Sequence, residues 1–412
     1  MNDRVRETTS CEVCGSRELR SVLDLGLHPM CDDLVRIGDD RSCREYPIEI
    51  LFCETCRTAH QRFQVPKREL FPNSYHYRSR FTGDVLNGMR KLVEFCEERF
   101  GKLAGKRVLD IGCNDGSLLN FFRDKGAITL GIEPTDAFLD AARQGHITYN
   151  AFLSGGVASE IVASHGAPDL ITFTNVFAHI ENLDDVLRSV RQLLAPHTAI
   201  VIENHYLGAV LMGNQFDTFY HEHPRSYSYT SFVHIGRSLG VPLADVEFPA
   251  RYGGNIRVFF GRHLQSNGII SDELNNREVG FLDRFGTLQA NVDRWRTNKR
   301  EFLAQQVRQH GKLRAKAFPG RAAILVKLLG LTHESISAVF EKPGSMKIGH
   351  YLPGTRVPIL SDDDLFALPD SAKPLLNLAW HIPEEIRNYL TEHRYSGPVI
   401  DIVATNDFLP EE

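Results

Sequence analysis

Residues 107–117 (RVLDIGCNDGS) constrain the fold more than any other part of the chain. Residues 108–112 predict a buried strand that ends at a glycine, and residues 117–125 predict a helix. Further strands are predicted over 128–133, 170–173 and 199–203, and a further helix over 137–144. Strands that alternate with helices are typical of an α/β fold with a doubly wound parallel sheet, in which ligands bind at the carboxyl ends of the strands.

The turn after the first of these strands has the form D-x-G-x-x-x-G, with Asp110, Gly112 and Gly116 at the fixed positions. It is neither the G-x-G-x-x-G fingerprint nor a P-loop. It is typical of methyltransferases that bind S-adenosylmethionine, because glycine lets the backbone approach a ligand closely. Glu133 ends the next strand, where a carboxylate can accept hydrogen bonds from ribose hydroxyls. The alternative is a generic Rossmann turn that holds another ligand.

We therefore predict an S-adenosylmethionine site at the carboxyl ends of these strands. Asp110 is expected to support the turn or to reach the methionine amino group, and Asn175 follows the strand over 170–173, where the chain would meet the cofactor. The predicted cofactor-binding residues are Asp110, Gly112, Asn114, Gly116, Glu133 and Asn175.

Two C-x-x-C pairs lie in the N-terminal segment, which is otherwise predicted to form short strands and turns. Cys11 and Cys14 form the first pair, and Cys53 and Cys56 form the second, after a predicted strand over 46–52. Four thiolates suit a tetrahedral zinc ion and leave no open coordination position, so we expect a structural zinc site. Redox-active pairs or plain buried cysteines are the alternative. The other cysteines are interpreted as bystanders, namely Cys31, Cys43, Cys96 and Cys113.

Composition limits the possible partners. The 412 residues are 42% hydrophobic and carry a formal net charge of -5, which is ordinary for a soluble protein of several domains and does not favour nucleic-acid binding. No apolar run approaches the roughly 18 residues that span a bilayer, and the polar first nine residues lack a secretory pattern. We expect a cytoplasmic protein without a nucleic-acid or membrane partner. Its oligomeric state is open, and a monomer is possible.

Residues 216–224 (FDTFYHEHP) form the candidate catalytic segment, because they place a phenol, two imidazoles and a carboxylate close together. A general base needs only one imidazole that a neighbour orients. A metal site of His221, Glu222 and His223 is disfavoured, since adjacent residues rarely reach one ion. A polar loop with no chemical role is the third interpretation. His179 and Tyr77 are weaker catalytic candidates.

These segments together resemble the sugar C-methyltransferases of deoxysugar biosynthesis, over most of the chain. The resemblance rests on both cysteine pairs, the turn over 111–119 and the F-D-x-x-Y-x-E-H pattern that ends at His223. It also rests on the segments 25–29, 74–79, 131–134, 175–180 and 253–257. The segments 317–322 and 341–343 depart from the family's pattern.

The resemblance implies a Rossmann-like methyltransferase core between a small N-terminal zinc-binding domain and a C-terminal Rossmann-like α/β domain that helps to close the substrate cleft. We place these domains at residues 1–77, 78–270 and 271–412, the last opening with one long polar helix over 272–307. The implied substrate is a nucleotide-linked 4-keto-6-deoxysugar. In the family that the chain resembles, C3 is the commoner site of methylation, and C5 occurs.

The implied chemistry is removal of a proton beside the C4 ketone, followed by attack of the enolate carbon on the methyl group. His223 is expected to be the base, oriented by Glu222, while Tyr220 donates to the developing oxyanion. His179 is expected to position the sugar or to share that role. The alternatives are O- or N-methylation of a sugar or small metabolite and, in another class, a non-catalytic zinc-ribbon adaptor.

Overall fold

The structure is a computed structural model, and it describes residues 5–71, 77–81, 83–264, 270–368 and 372–409. The chain divides into two units. The first unit comprises residues 1–20, 51–213 and 222–282, and the second comprises residues 21–50, 214–221 and 283–412. Within the described ranges, no helix is both long enough and apolar enough to cross a membrane.

The N-terminal segment consists mainly of strands and turns, as predicted, but two of its strands have ten and nine residues and are longer than expected. The expected strand over 46–52 is present and runs directly into the second cysteine pair. The elements are β1 (Arg6–Glu7), β2 (Arg20–Pro29), β3 (Val35–Arg36), β4 (Glu45–Cys53), β5 (Thr58–Gln61), β6 (Phe63–Gln64) and α1 (Lys67–Leu70).

The rest of the first unit alternates strands with helices, and every strand and helix predicted between residues 107 and 203 is present. The elements are α2 (Gly83–Phe100), β7 (Arg107–Ile111), α3 (Ser117–Asp124), β8 (Ile128–Ile132), α4 (Phe138–Arg143), β9 (Ile147–Tyr149), α5 (Gly155–His165), β10 (Leu170–Thr174), α6 (Leu183–Leu193), β11 (Ala199–His205), α7 (Leu207–Met212), β12 (Arg225–Ser226), α8 (Tyr229–Leu239), β13 (Leu243–Glu247), β14 (Asn255–Phe260) and α9 (Ile270–Glu278).

The main sheet has seven strands in the order β13-β14-β11-β10-β7-β8-β9. The five strands from β11 to β9 are parallel, as expected. Two further strands, which the sequence did not predict, extend this sheet in the antiparallel sense, because β14 pairs with β11, and β13 with β14. All six residues of β14 are buried, including the polar Asn255 and Arg257, which alternate with apolar residues at the start of the strand.

Helix α2 covers this sheet with a stripe of apolar side chains at helical spacing. Val85, Met89 and Leu92 are buried in one core with Val108 of β7 and Leu170 of β10. Cys96, interpreted as a bystander, lies fully buried in the same core. Burial of this stripe fixes α2 on the sheet, since the hydrophobic contribution scales with the apolar area removed from water.

The second unit contains a five-stranded parallel sheet in the order β18-β16-β15-β19-β20, the arrangement of a Rossmann-like domain. Its core includes Phe340, Leu375, Ile386 and Leu390. The elements are α10 (Phe281–His310), β15 (Leu313–Lys316), α11 (Ala322–Leu329), β16 (Ile336–Glu341), β17 (His350–Tyr351), β18 (Ile359–Ser361), α12 (Asp362–Phe366), β19 (Leu375–Asn377), α13 (Pro383–Glu392) and β20 (Val399–Asp401).

The single helix predicted over 272–307 is wrong in one respect, because α9 ends at Glu278 and α10 begins at Phe281. The Glu278 carboxylate is fully buried and accepts hydrogen bonds from the backbone N–H groups of Tyr229 (2.7 Å) and Thr230 (2.9 Å) at the start of α8. The two residues between the helices include Gly280, a poor helix former. The tertiary contact of Glu278 therefore accompanies a break that the polar helical pattern does not show.

Candidate functional site

The turn after β7 brings the backbone close to the neighbouring strands. Gly112 has φ 73° and donates its backbone N–H to the carbonyl oxygen of Ile132 at 2.7 Å. A Cβ atom at Gly112 would lie 2.5 Å from Cγ2 of Val176. A Cβ at Gly116 (φ 79°) would lie 2.9 Å from both Ala141 and His146. Neither position has room for a side chain, so both glycines of the turn are required sterically.

Asn114 ties this turn to the segment that precedes α2. It also has a positive φ, 49°, which asparagine tolerates better than most residues. Its side-chain oxygen accepts the backbone N–H of Ser79 at 3.1 Å, and its amide donates to the carbonyl oxygen of Tyr77 at 3.2 Å. Tyr77 itself is 44% exposed. Residues 74–76 of the segment noted in the sequence lie outside the described residues.

Glu133 lies just beyond the end of β8 and is buried. One carboxylate oxygen accepts the N–H (2.9 Å) and hydroxyl (2.6 Å) of Thr135, and the other accepts the N–H of Asn114 at 3.1 Å. Burial raises the pKa of this carboxyl, and the three hydrogen bonds oppose that rise. The oxygen that faces Asn114 keeps acceptor capacity for a further donor, which is what a ribose hydroxyl needs.

Asp110 lies inside β7 rather than in the turn, and it is buried. Its carboxylate accepts the hydroxyl of Thr172 on β10 at 2.7 Å. Burial raises the pKa of Asp110 to about 7, with the Thr172 hydrogen bond as the main opposing effect. Asp115, which the sequence did not single out, is fully buried and accepts the N–H of Arg80 at 3.0 Å.

A network of charged and amide groups lies at the carboxyl ends of β10 and β11. Asn175 follows β10 with φ 54° and donates its backbone N–H to the carbonyl oxygen of Glu203 at 2.8 Å. The Glu203 side chain is fully buried and accepts Nε (2.8 Å) and Nη2 (2.7 Å) of Arg257 and the amide of Asn255 (2.9 Å). Sequence reasoning missed this carboxylate, although an acid at the end of an apolar strand is a recognisable pattern.

Three histidine rings of the first unit lie together. The ring of His223 lies 4.8 Å from that of His179 and 5.7 Å from that of His205, measured between centroids. Nδ1 of His179 is 2.8 Å from the backbone carbonyl oxygen of Glu222. Burial lowers the pKa of His179 to about 4, so its imidazole is neutral at neutral pH. His205, the last residue of β11, was not predicted, because a single histidine in a strand is seldom informative.

The candidate catalytic segment divides between the two units after His221. In the first unit, Glu222 and His223 are each only 6% exposed. In the second unit, Tyr220 is half-buried, and Nε2 of His221 is 3.1 Å from the carbonyl oxygen of Tyr46. The structure therefore brings His179 and His223 together in one unit, and it gives the neighbouring His221 a backbone partner in the other.

Asp217, at the start of the same segment, is held entirely by cationic and aromatic partners of the second unit. Its carboxylate accepts Nε (2.8 Å) and Nη2 (3.0 Å) of Arg321 in a two-point pair, and the indole N–H of Trp380 at 2.9 Å. Such a forked pair is geometrically specific. Asp217 therefore fixes the N-terminal end of the candidate catalytic segment.

The four paired cysteines converge as predicted. Their sulfur atoms all lie within 4.8 Å of one another, with Cys11 to Cys56 at 3.3 Å and Cys14 to Cys53 at 3.6 Å. Four thiolates about 2.3 Å from a tetrahedral zinc ion are about 3.8 Å apart, so the cluster fits this metal. In the described part of the chain it is the one group of three or more such ligands.

The two cysteine pairs form matching turns. The residue after the second cysteine has a positive φ in both, namely Gly15 (79°) and Arg57 (57°). Gly15 donates its N–H to the carbonyl oxygen of Cys11, and Arg57 to that of Cys53, both at 2.8 Å. The other four cysteines lie outside this cluster, as expected for bystanders.

Comparisons with known proteins assign this architecture to a class. A methyltransferase-domain family matches residues 81–242, a zinc-binding-domain family matches residues 11–71, and a C-methyltransferase C-terminal-domain family matches residues 250–402. The chain is thus an S-adenosylmethionine-dependent methyltransferase with a structural zinc site.

One relative covers almost the whole chain. The C-methyltransferase NovU of Streptomyces niveus is 30% identical over 94% of this chain and 93% of its own length. The chain belongs to this family of C-methyltransferases.

More distant similarity is partial. A ubiquinone biosynthesis O-methyltransferase of Pasteurella multocida is 30% identical, over 28% of this chain and 52% of its own length. The crystal structure of the magnesium protoporphyrin IX methyltransferase of Synechocystis is 16% identical and covers 43% of this chain and 83% of that protein, with a TM-score of 0.35.

We predict that Gly112→Ala weakens binding of S-adenosylmethionine about tenfold or more, because the new Cβ would clash with Val176 in a strained backbone conformation. The matched control is Gly145→Ala, which also has a positive φ (90°) but has nothing within 4 Å of the new Cβ. Isothermal titration calorimetry measures both. Equal effects of the two substitutions would show that backbone strain alone, and not the shape of the turn, governs binding.

We also predict that the purified protein holds about one equivalent of zinc, and that Cys56→Ser removes most of it. Cys96→Ser is the control, since Cys96 is equally buried but lies in the core beneath α2. Mass spectrometry measures the zinc content of the wild type and of both variants. Similar zinc loss in both variants would instead indicate general unfolding of the first unit.

Proposed function

We propose that this C-methyltransferase acts on a nucleotide-linked 4-keto-6-deoxysugar and methylates C3. The observation that carries the proposal is the placement of His223. Its buried imidazole lies against His179 at the carboxyl end of a methyltransferase sheet, in a family whose members form carbon–carbon bonds. The sequence pattern that ends at His223 resembles that of the sugar C-methyltransferases.

C-methylation requires a carbon nucleophile, and a ketone provides one by acidifying the neighbouring C–H. In the proposal, His223 takes the C3 proton onto its imidazole, and the electron pair of the C–H bond moves into the enolate. S-adenosylmethionine supplies an electrophilic methyl group. Removing such a base typically costs about 10²- to 10⁴-fold in turnover.

Three further residues are proposed to assist His223. Glu222 is proposed to orient the imidazole, and Tyr220, three residues before it, to donate a hydrogen bond to the oxyanion that develops on the C4 oxygen. One such donor is typically worth about 3 kcal/mol in the transition state. His179 is neutral at neutral pH, because burial holds its pKa at about 4, so it places no second positive charge beside His223. It is proposed to position the sugar, and Tyr77 is kept as a further candidate contact.

The cofactor contacts are proposed from the same edge of the sheet. Gly112, Asn114 and Gly116 form the turn against which the cofactor is expected to lie, and Glu133 is expected to accept the ribose hydroxyls. Asn175 and Asp110 are proposed to complete the site, Asp110 indirectly through its strand. We propose that the protein acts in the cytoplasm, without a nucleic-acid or membrane partner, and that one chain forms a complete site.

The substrate is tested by incubating the protein with S-adenosylmethionine and a panel of 4-keto-6-deoxysugars that carry different nucleotides. Mass spectrometry is expected to find a product heavier by one CH₂, and NMR to place the new methyl on C3. A methyl on oxygen would contradict the proposal and favour the O-methyltransferase alternative. Failure of every sugar despite cofactor binding would exclude this substrate class.

The base is tested with His223→Asn, which should lower turnover by about 10²- to 10⁴-fold and leave the affinity for S-adenosylmethionine unchanged. His221→Asn is the control within the same segment, because the structure gives that ring a backbone carbonyl partner. Exchange of the C3 proton with deuterated water in the absence of methyl donor should also be lost in His223→Asn alone. Near-normal exchange in that variant would rule out His223 as the base.

A further inference from the structure

The two cysteine pairs have the same sequence pattern but different surroundings. A glutamate follows the first cysteine in each, Glu12 in one and Glu54 in the other. The Glu54 side chain is 43% exposed and pairs with Arg20, also exposed, at 2.8 Å. The Glu12 side chain is only 14% exposed. Zinc binding by the cysteines requires neither carboxylate, so the burial of Glu12 needs a separate explanation.

Glu12 is the centre of a polar cluster within the first unit. One carboxylate oxygen accepts Nη2 of Arg6 at 2.5 Å. The other accepts the amide of Gln64 at 3.0 Å and a hydrogen bond from Nη1 of Arg225. Nδ1 of His60 lies 3.8 Å from this second oxygen, and Nε2 of the same ring lies 3.3 Å from the sulfur of Cys11. A metal ligand and the carboxylate therefore contact opposite sides of one imidazole.

Arg225 is fully buried and lies two residues after His223. Its other partners are the hydroxyl of Tyr227, at 3.0 Å from Nε, and the carbonyl oxygen of Glu181, at 3.5 Å from Nη1. A buried guanidinium needs a compensating charge, and Glu12 is the carboxylate that meets it. Removing that charge leaves Arg225 buried without its counter-ion and favours release of the residues around it.

The backbone of the same segment is also attached beside the metal site. Arg225 and Ser226 form β12, which pairs antiparallel with His60 and Ala59 of β5. The N–H of Gln61 donates to the carbonyl oxygen of Pro224 at 2.8 Å. Strand β5 begins two residues after Cys56. The residues next to His223 are therefore hydrogen-bonded to the strand that directly follows the second cysteine pair.

We propose that Glu12 is a positioning residue that, through Arg225, couples the zinc site to the orientation of His223. The zinc ion, in this proposal, does more than stabilise a small domain: it fixes the turn from which Glu12 projects and the start of the strand to which residues 224–226 are attached. The proposal rests on the proposed role of His223 as the base. The structural part of the proposal, that Glu12 orders residues 222–227, is independent of that role.

The test compares Glu12→Gln with Glu54→Gln, which removes the same charge from the same position of the other cysteine pair. In Glu12→Gln we expect full zinc content, unchanged affinity for S-adenosylmethionine, and backbone hydrogen exchange about tenfold faster over residues 222–227. We expect kcat to fall about 10- to 100-fold with KM changed less than about twofold, in the range typical of outer-sphere residues of metal sites. Glu54→Gln should match the wild type in all of these.

Three results would overturn the proposal. Unchanged exchange over residues 222–227 in Glu12→Gln would show that the ion pair does not order the segment. Loss of zinc from Glu12→Gln would make Glu12 a support of the metal site alone. Faster exchange with unchanged kcat would show that the ordering of residues 222–227 does not affect catalysis.

Removal of zinc from the wild-type protein by a chelator gives a second readout. The proposal expects the same increase in exchange over 222–227, and unchanged exchange would contradict it. If the wild type methylates none of the sugars, the proposed function fails. The exchange measurements still decide whether Glu12 and zinc order the segment.

Discussion

The pairing of β5 with β12 attaches the residues beside His223 to the chain that leaves the second cysteine pair. These strands comprise four and two residues, and they join sequence positions more than 160 residues apart. Such a short ladder contributes little stability by itself, and loop closure makes it unfavourable to form alone. It persists because each end is fixed by something stronger: the cysteine cluster before β5, and the fully buried Arg225 in β12.

At the carboxyl edge of the main sheet, the first unit contains buried ionisable groups. Glu203 is fully buried but is met by Arg257 and Asn255, so its negative charge is compensated locally. His179, with a pKa lowered to about 4, stays neutral in the same region. A proton acceptor performs best where neighbouring groups do not change charge near the working pH, since each such change would shift its own pKa. His179 therefore adds no positive charge beside the ring of His223 at neutral pH.

The sequence predicts the parts of this molecule that depend on local patterns. The strand that ends at Gly112, the helix from Ser117 and the four paired cysteines all follow from periodicity or spacing over a few residues. The two antiparallel strands β13 and β14, by contrast, were not predicted. The break between α9 and α10 was also missed. It lies at Gly280 and follows Glu278, whose contact with the distant start of α8 the helical pattern does not show.

The asymmetry between Glu12 and Glu54 marks the limit of sequence reasoning at the site. In the sequence the two residues are equivalent, since each follows the first cysteine of a C-x-x-C pair. Their difference arises from a partner 213 residues away, Arg225, which is itself inconspicuous in the sequence. A turn that binds zinc presents its intervening side chains in fixed directions, because two of its four residues are held by the metal. A rigid turn of this kind is a suitable base for a buried ion pair, since the carboxylate loses little additional freedom when it meets the guanidinium. In the proposed coupling, zinc contributes to catalysis without contacting substrate, because it limits the freedom of the carboxylate that pairs with Arg225 beside the candidate catalytic segment.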